Sequence, residues 1–376
     1  MCPYCPYNKI KYDQKEVKPF LEALEQEIAL YQDLVGSITV PSLYIGGGTP
    51  TTLIDELGTI IDTIKDGFQI RGTIGVETNP SDITEEVVDK LRDAQVNMIS
   101  LGIQSFQRKS LDFIGRNYDT STAEHALNLV DGNVFDTVNV DLMFALPGQR
   151  VDDVVADATK AMSFDIDQLT FYPLFTFPYS KAGRYLKLKQ VRMPHFFSRR
   201  IMYKTIHDFC IDQGFDRVSV WGFKKGKSPR YSSVTRDVYI GFGPGAGSYL
   251  PGGFYFNTFS VPEYVKTCLN ATLPLALKLE VQPQLAKYYW LYWRLYDTII
   301  PKESFWTFFE ADRKKMITLL RFFKRCNLIE EKEEYFELTE RGCFWIHLLQ
   351  NYFVLQYIDK VWTMAMNDPW PDEISI

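Results

Sequence analysis

The sequence predicts an α/β protein built on a parallel sheet, open or closed into a barrel, followed by a smaller and mainly helical region. Three observations carry this. Short apolar, β-branched runs alternate with amphipathic helical runs through the first half of the chain. Glycine or polar residues collect where four of those strands end, at Gly46 to Thr49, Glu77, Gln104 and Asp141. Beyond residue 179 the alternation stops, and after residue 279 helical periodicity dominates.

The elements follow in order. Residues 17–35 place apolar side chains at helical spacing and stop at Gly36. Residues 42–45 form a strand that runs into Gly46-Gly47-Gly48. Residues 53–64 read as a helix, and 73–77 as a strand ending on an acid. Ser81 or Asp82 is the expected cap of a helix running to residue 94. A strand at 97–102 precedes helices at 107–114 and 122–130, and a strand at 138–143 precedes a helix at 151–162 and a strand at 168–172. Residues 184–209 are helical and rich in basic and aromatic residues; 218–248 are Gly- and Ser-rich with short strand-like pieces. A short helix is expected at 262–269. Helices at 288–296 and 314–324, a turn at Cys326-Asn327, a strand at 335–338 and a helix at 339–352 give a winged-helix-like order. The expected divisions are 1–178, 179–278 and 279–376.

Composition narrows the function classes. A net charge of −6 over 376 residues gives no support to nucleic-acid binding, which needs a basic face. The winged-helix-like region is therefore expected to pack or cover rather than to read DNA. There is no run of about 18 apolar residues to span a membrane, and the polar, Cys-containing start lacks an apolar secretory core. Four of the six cysteines, Cys210, Cys268, Cys326 and Cys343, are scattered singly and read as small buried apolar groups in a reducing cytoplasm. His125, His195, His207 and His347 are isolated and read as structural.

Each motif is ambiguous alone. Cys2-Pro3-Tyr4-Cys5 suits a metal corner, a redox dithiol or a plain terminus. Gly46 to Pro50 lets a ligand approach the backbone, but it lacks the Lys-Ser/Thr of a triphosphate loop. Glu77 at a strand end suits an ammonium group or a helix cap. Gln104 and Arg116 are polar groups on loops. Asp141 interrupts an apolar strand, where an ionised group is costly unless it is paired or used.

Together these motifs resemble the oxygen-independent coproporphyrinogen III oxidase family of radical S-adenosylmethionine (SAM) proteins. Ser-Leu-Gly-Ile-Gln-Ser-Phe from Ser100, Ile114-Gly115-Arg116, Val-Asp-Leu-Met-Phe-Ala-Leu-Pro-Gly-Gln from Val140 and Gly-Phe-Gly-Pro-Gly-Ala from Gly241 complete the pattern over about residues 2–250. The resemblance implies a partial (β/α)6 radical SAM barrel whose first strand is missing here. It implies that Cys2 and Cys5 are the second and third thiolates of a Cys-x3-Cys-x2-Cys loop holding a [4Fe–4S] cluster, with Tyr4 the aromatic between them. Gly47, Gly48 and Thr49 would contact SAM through the backbone, and Glu77 would contact it as well. Gln104, Arg116 and Asp141 match positions that hold a second SAM, so one or two are expected. Phe175 and Ser248 lie near further contact positions. The implied chemistry is reductive SAM cleavage to a carbon radical that acts on a porphyrinogen or related tetrapyrrole, in a coproporphyrinogen dehydrogenase-like oxidative decarboxylation of propionates. The implied reductant is a ferredoxin or flavodoxin. Arg184, Arg192, Arg199, Arg200, Lys224, Lys225, Lys227, Arg230 and Arg236 are candidates to meet propionates.

Two departures qualify the match. The first cluster cysteine belongs four residues before Cys2, which suggests an N-terminally truncated form, the alternative being a degenerate relative; with two thiolates this chain is expected to hold a cluster poorly and to be inactive as it stands. Related haem chaperones carry His-Asn-x-x-Tyr-Trp, where this chain reads Tyr231-Ser232-Ser233-Val234-Thr235-Arg236-Asp237. The alternatives are a radical SAM methyltransferase of the same family and a non-catalytic haem or tetrapyrrole carrier.

Overall fold

The computed structural model describes residues 5, 8–130, 134–175, 192–234, 237–353 and 359–372. Helix α1 (Gln14–Val35) is capped by Asp13, whose carboxylate accepts the Lys15 N–H at 3.0 Å, and ends at Gly36 with φ 70°. The barrel sheet then builds up as β1 (Thr39–Ile45), α2 (Ile54–Gly67), β2 (Gln69–Thr78), α3 (Glu85–Asp93), β3 (Met98–Gln104), α4 (Arg108–Ile114), α5 (Thr120–Val130), β4 (Thr137–Phe144), α6 (Val151–Ala161) and β5 (Gln168–Pro173). Strands β1 to β5 pair in parallel and in chain order. After α7 (Phe196–Asp212), the strands β6 (Asp216–Arg217) and β7 (Gly222–Lys224) close the far edge antiparallel, giving a seven-stranded sheet in the order β1-β2-β3-β4-β5-β7-β6. This is the parallel α/β sheet that the sequence predicts, with an antiparallel end that the strand pattern did not reveal.

Successive strand residues face opposite sides. Ile74, Val76, Ile99, Leu101, Val140 and Leu142 form one apolar core with helical residues such as Leu57, Ile61, Leu91 and Leu127. Burying each such side chain contributes about 1.5–3 kcal/mol. The alternate positions Ser100, Asn139, Asp141 and Thr170 form the polar interior.

One expected cap is corrected. Pro80–Asp82 is a separate 3₁₀ turn, and the cap of α3 is Thr84, whose hydroxyl accepts the Val87 N–H at 3.2 Å. Asp82 instead accepts from Thr51 at 2.9 Å, which fastens the turn after the Gly-rich loop.

A second sheet, β8 (Gly247–Leu250), β9 (Gly253–Asn257) and β10 (Leu275–Glu280), flanks α8 (Val261–Leu269); β9 and β10 were not apparent in the sequence. Buried Glu27 of α1 ties this unit down, accepting from Gly243 N at 2.8 Å, Asn257 Nδ2 at 2.6 Å and Tyr264 Oη at 2.6 Å. The C-terminal region comprises α9 (Pro283–Tyr296), β11 (Ile299–Pro301), α10 (Lys302–Phe309), α11 (Arg313–Arg325), β12 (Ile329–Glu331), β13 (Tyr335–Leu338), α12 (Glu340–Phe353) and α13 (Asp359–Asn367). Its antiparallel sheet, β11-β13-β12, completes the expected winged-helix-like order. It docks through Arg200–Glu340, through Trp221 Nε1 donating to His347 Nδ1 at 3.2 Å, and through Val220 N to Tyr296 O at 2.9 Å. Burial pushes the His347 imidazole down to about 3, so it is a neutral core group, as expected. Cys210, Cys268 and Cys343 are buried free thiols as expected, whereas Cys326, in the turn after α11, is half-exposed. Among the described residues no helix is long and apolar enough to cross a membrane.

Candidate functional site

The loop after β1 is shaped by its glycines. Gly47 and Gly48 hold φ of 79° and 57°, where side chains are strained, and the space a Cβ would enter at each is open. At Gly46 a Cβ would stand 2.7 Å from the Tyr44 hydroxyl, so glycine there lets the Tyr44 ring fold back over the loop. Thr49 donates to Gly48 O at 2.9 Å and begins the turn Pro50–Leu53. The loop thus presents its backbone to the ends of β1 and β2.

Facing it is a polar layer from three neighbouring strands. Thr170 Oγ1 donates to Asn139 Oδ1 at 2.8 Å. Asn139 Nδ2 lies 2.7 Å from Ser100 Oγ and 2.8 Å from Asp141 Oδ1, and Ser100 Oγ donates to Asp141 Oδ2 at 3.0 Å. Burial pushes the Asp141 carboxyl up to about 7, the Glu77 charge pushes it the same way, and the Asn139, Ser100 and Arg116 contacts oppose the rise. Burial also raises Glu77, opposed by the Tyr44 hydroxyl and the Gly47 N–H. The Glu77 carboxyl therefore ties the end of β2 to the Gly-rich loop and stands within electrostatic reach of Asp141.

Gln104 and Arg116 complete the arrangement. Gln104 ends β3 with φ 66°. Arg116 follows the left-handed Gly115 (φ 71°) that stops α4, and its guanidinium sits 5.8 Å from the Tyr118 ring centroid. Both polar heads lie over Gly102, where a Cβ would come within 2.9 Å of Gln104 Nε2 and 3.4 Å of an Arg116 terminal nitrogen. A side chain at Gly102 would have to push the Gln104 and Arg116 heads aside. The structure brings Glu77, Gln104, Arg116 and Asp141 together beside the exposed backbone of Gly47 and Gly48. Carboxylates for ammonium or hydroxyl groups, a guanidinium for a carboxylate and open backbone amides suit an amino-acid-bearing nucleoside such as SAM.

The remaining sequence candidates divide. Cys2 and Tyr4 lie outside the described residues. Cys5 is half-buried, and its carbonyl accepts from Lys9 Nζ at 2.7 Å. No group of three His, Cys, Asp or Glu side chains among the described residues is arranged to hold a metal ion, so those residues by themselves do not make a cluster site. Among the described residues, three of the cations expected to meet propionates have partners within the chain: Arg200 pairs with Glu340, Arg230 with Asp297 at 2.7 Å, and Arg199 lies 3.2 Å from His347. Lys224 bonds Gly226 O at 2.6 Å, Arg192, Lys225 and Lys227 are exposed, and Arg184 and Arg236 lie outside the described residues. Phe175 packs edge-on against Trp221, and Ser248 accepts from Gly241 N at 3.0 Å. Tyr44, Ser100 and Asn139 were not singled out from the sequence, although polar residues at every second position of apolar strands signal a polar interior.

Residues 1–161 match the family model of the radical SAM superfamily. The heme chaperone HemW of Bacillus subtilis (strain 168) is 28% identical over 281 residues, covering 73% of this chain and 74% of its own. Anaerobilin synthase of Escherichia coli O157:H7 is 25% identical over 354 residues, 92% of this chain and 79% of that protein. The solved structure of coproporphyrinogen III oxidase (HemN) from Escherichia coli, a radical SAM enzyme, superposes with a TM-score of 0.78 at 20% identity, covering 95% of this chain and 87% of that one. At that identity the likeness establishes the fold.

Proposed function

We propose, starting from a chain with the radical SAM fold, that it binds SAM at the C-terminal ends of β1 to β4 and acts on a porphyrinogen or related tetrapyrrole, in the manner of coproporphyrinogen oxidation. The observation that carries SAM binding is the convergence of Glu77, Gln104, Arg116 and Asp141 on one face beside the Gly47–Gly48 backbone. A bound SAM with a reduced [4Fe–4S] cluster supplies a carbon-centred radical. The chain's own residues bind and orient. Gly47 and Gly48 offer backbone N–H and C=O groups, Thr49 closes the loop, and Glu77 receives an ammonium. Arg116 receives a carboxylate, while Asp141 and Gln104 fix hydroxyl groups, on the same SAM or on a second one, to which the resemblance matches these three positions. Hydrogen bonds to charged groups are worth about 1.5–3 kcal/mol each, and burial strengthens them. Cys2 and Cys5 would supply two thiolates to the cluster, with Tyr4 between them. A ferredoxin or flavodoxin is the proposed electron donor. The tetrapyrrole part rests on the names of the relatives and on the sequence resemblance.

A second reading has its own support. The Bacillus subtilis relative is named a heme chaperone, which favours a non-catalytic tetrapyrrole carrier. Against it stands Tyr231 to Asp237, which lacks the His and Trp of the chaperone motif. Anaerobic incubation of a variant extended to carry a cysteine four residues before Cys2, with iron, sulfide, reductant and SAM, separates the readings. Formation of 5′-deoxyadenosine supports the enzyme, and tight haem binding without SAM cleavage supports the carrier.

A further inference from the structure

We propose that Tyr231 is an additional ligand-contacting residue of the strand-end site, donating its phenolic O–H to a ribose hydroxyl oxygen of the nucleoside held there. The proposal rests on the SAM-binding reading above. Tyr231 belongs to a segment outside the sheet that runs across the inner face of the barrel. Its backbone is clamped on both sides by one side chain: Tyr231 N donates to Gln168 Oε1 at 3.1 Å, and Gln168 Nε2 donates to Tyr231 O at 3.0 Å. Two residues earlier, Pro229 O accepts from Thr137 Oγ1 at 2.6 Å, which fixes the segment to the start of β4. The ring lies on Gly75, with its edge 3.4 Å from where a Cβ would be, and meets the Tyr44 ring edge-on at 5.9 Å. It also walls a cavity of about 340 Å³ beneath the site, with Ser42, Tyr44, Gly75 and Met98.

So firmly placed a side chain would be expected to have its polar end satisfied. Tyr231 is only 4% exposed, yet its hydroxyl has no hydrogen-bond partner among the described residues. Buried hydroxyls without partners are uncommon, and each calls for an explanation. The surrounding groups supply one. Burial pushes the Tyr231 phenol well above its ordinary range, and the Glu77 and Asp141 charges push it the same way. The Tyr44 and Ser100 side chains stand near enough to oppose that rise, but neither meets the phenol in hydrogen-bonding geometry. The two carboxyls are acceptors that a ligand hydroxyl can donate to, and the phenol is a donor that the same hydroxyl oxygen can accept from. A ribose hydroxyl has that dual character; an ammonium or a carboxylate has only half of it.

The test compares the wild-type chain with Tyr231→Phe, using S-adenosylhomocysteine as the probe in anaerobic titration calorimetry and following the melting of the ligand-free proteins. The phenylalanine ring keeps the contacts with Gly75 and Tyr44 and removes only the hydroxyl. The expected result is an unchanged or higher melting temperature for the free variant together with a roughly 5–10-fold loss of affinity, the size of one neutral hydrogen bond. As a second readout, a 2′,3′-dideoxy analogue of the probe should bind the two proteins alike, because the hydroxyl partner is gone from the ligand. Wild-type binding with Tyr231→Phe affinity within twofold would overturn this proposal and leave the site reading standing. Absence of probe binding to the wild type would overturn both. A variant that melts well below the wild type would show that the hydroxyl is already bonded in the free protein, which also overturns the proposal.

Discussion

Replacing Asp141 by asparagine should make the free chain more stable at alkaline pH while removing ligand binding. The carboxyl is pushed from its ordinary 3.8 to about 7, first by burial and then by the nearby Glu77 charge. Its folded-state value lies above the unfolded one, so the folded chain holds this proton more tightly, and stability falls as pH rises between about 4 and about 7. Above that window the ionised group costs about 4 kcal/mol at 1.36 kcal/mol per pH unit. The asparagine side chain avoids that cost, but its single carbonyl can serve either Ser100 or Asn139, so about 1 kcal/mol is lost with the other bond. The net expectation is a variant about 3 kcal/mol more stable than wild type at pH 8.5 and close to neutral at pH 5. Urea unfolding at both pH values measures it. A difference between variant and wild type that stays the same at pH 5 and pH 8.5 would refute the reasoning, whatever its absolute size. SAM affinity should fall at least about tenfold in the same variant, the mark of a site that sacrifices stability for function.

Three further changes test other parts of the account. Gly102→Ala should lower SAM affinity by about tenfold while costing no more than about 2 kcal/mol of stability, because the new methyl displaces Gln104 and Arg116 rather than the core; equal affinity in a binding titration would contradict the placement of those two heads over Gly102. Glu27→Gln should destabilise by about 1–2 kcal/mol in urea unfolding at pH 5, since three donors converge on that carboxyl and the amide would turn an NH₂ towards one of them; burial raises the carboxyl to about 7, so its folded-state value lies above the unfolded one, and the deficit should shrink or reverse at pH 8.5, where the ionised wild-type group is costly. Glu340→Gln should cost about 1–2 kcal/mol and speed hydrogen exchange in α12 while leaving β2 to β4 unchanged, because its pair with Arg200 is largely shielded, at 16% and 26% exposure. Exchange that rises equally throughout the barrel would contradict that assignment.

What was legible in the sequence follows from periodicity. Strand ends marked by Glu77, Gln104 and Asp141 could be located because each polar group interrupts or closes an apolar run, and parallel sheets gather such ends at one rim. Arg116 was less visible, since only the left-handed stop at Gly115 and the absence of a side chain at Gly102 return it to that rim. The cap at Thr84 was missed because Ser81 and Asp82 are equally good capping types, and Asp82 was already committed to Thr51. Short strand-like pieces were legible around β7, but the antiparallel pairing of β6 and β7 was not; β9 was hidden by its run of aromatic residues, whereas Leu275, Leu277 and Leu279 of β10 do alternate. Basic residues between 184 and 236 looked like an anion face because sequence does not reveal that Arg199, Arg200 and Arg230 meet partners far along the chain. Tyr231 carried no signal of its own; its role depends on Gln168 and Gly75, both distant in sequence.

The most direct test of the central reading is anaerobic equilibrium dialysis of radiolabelled SAM against the wild-type chain, alongside Glu77→Gln and Arg116→Met. Saturable binding of at least one SAM per wild-type chain, weakened about tenfold or more in each variant, is the predicted result. Absence of saturable binding, or binding that both variants retain in full, would contradict the assignment of the strand-end layer as a SAM site.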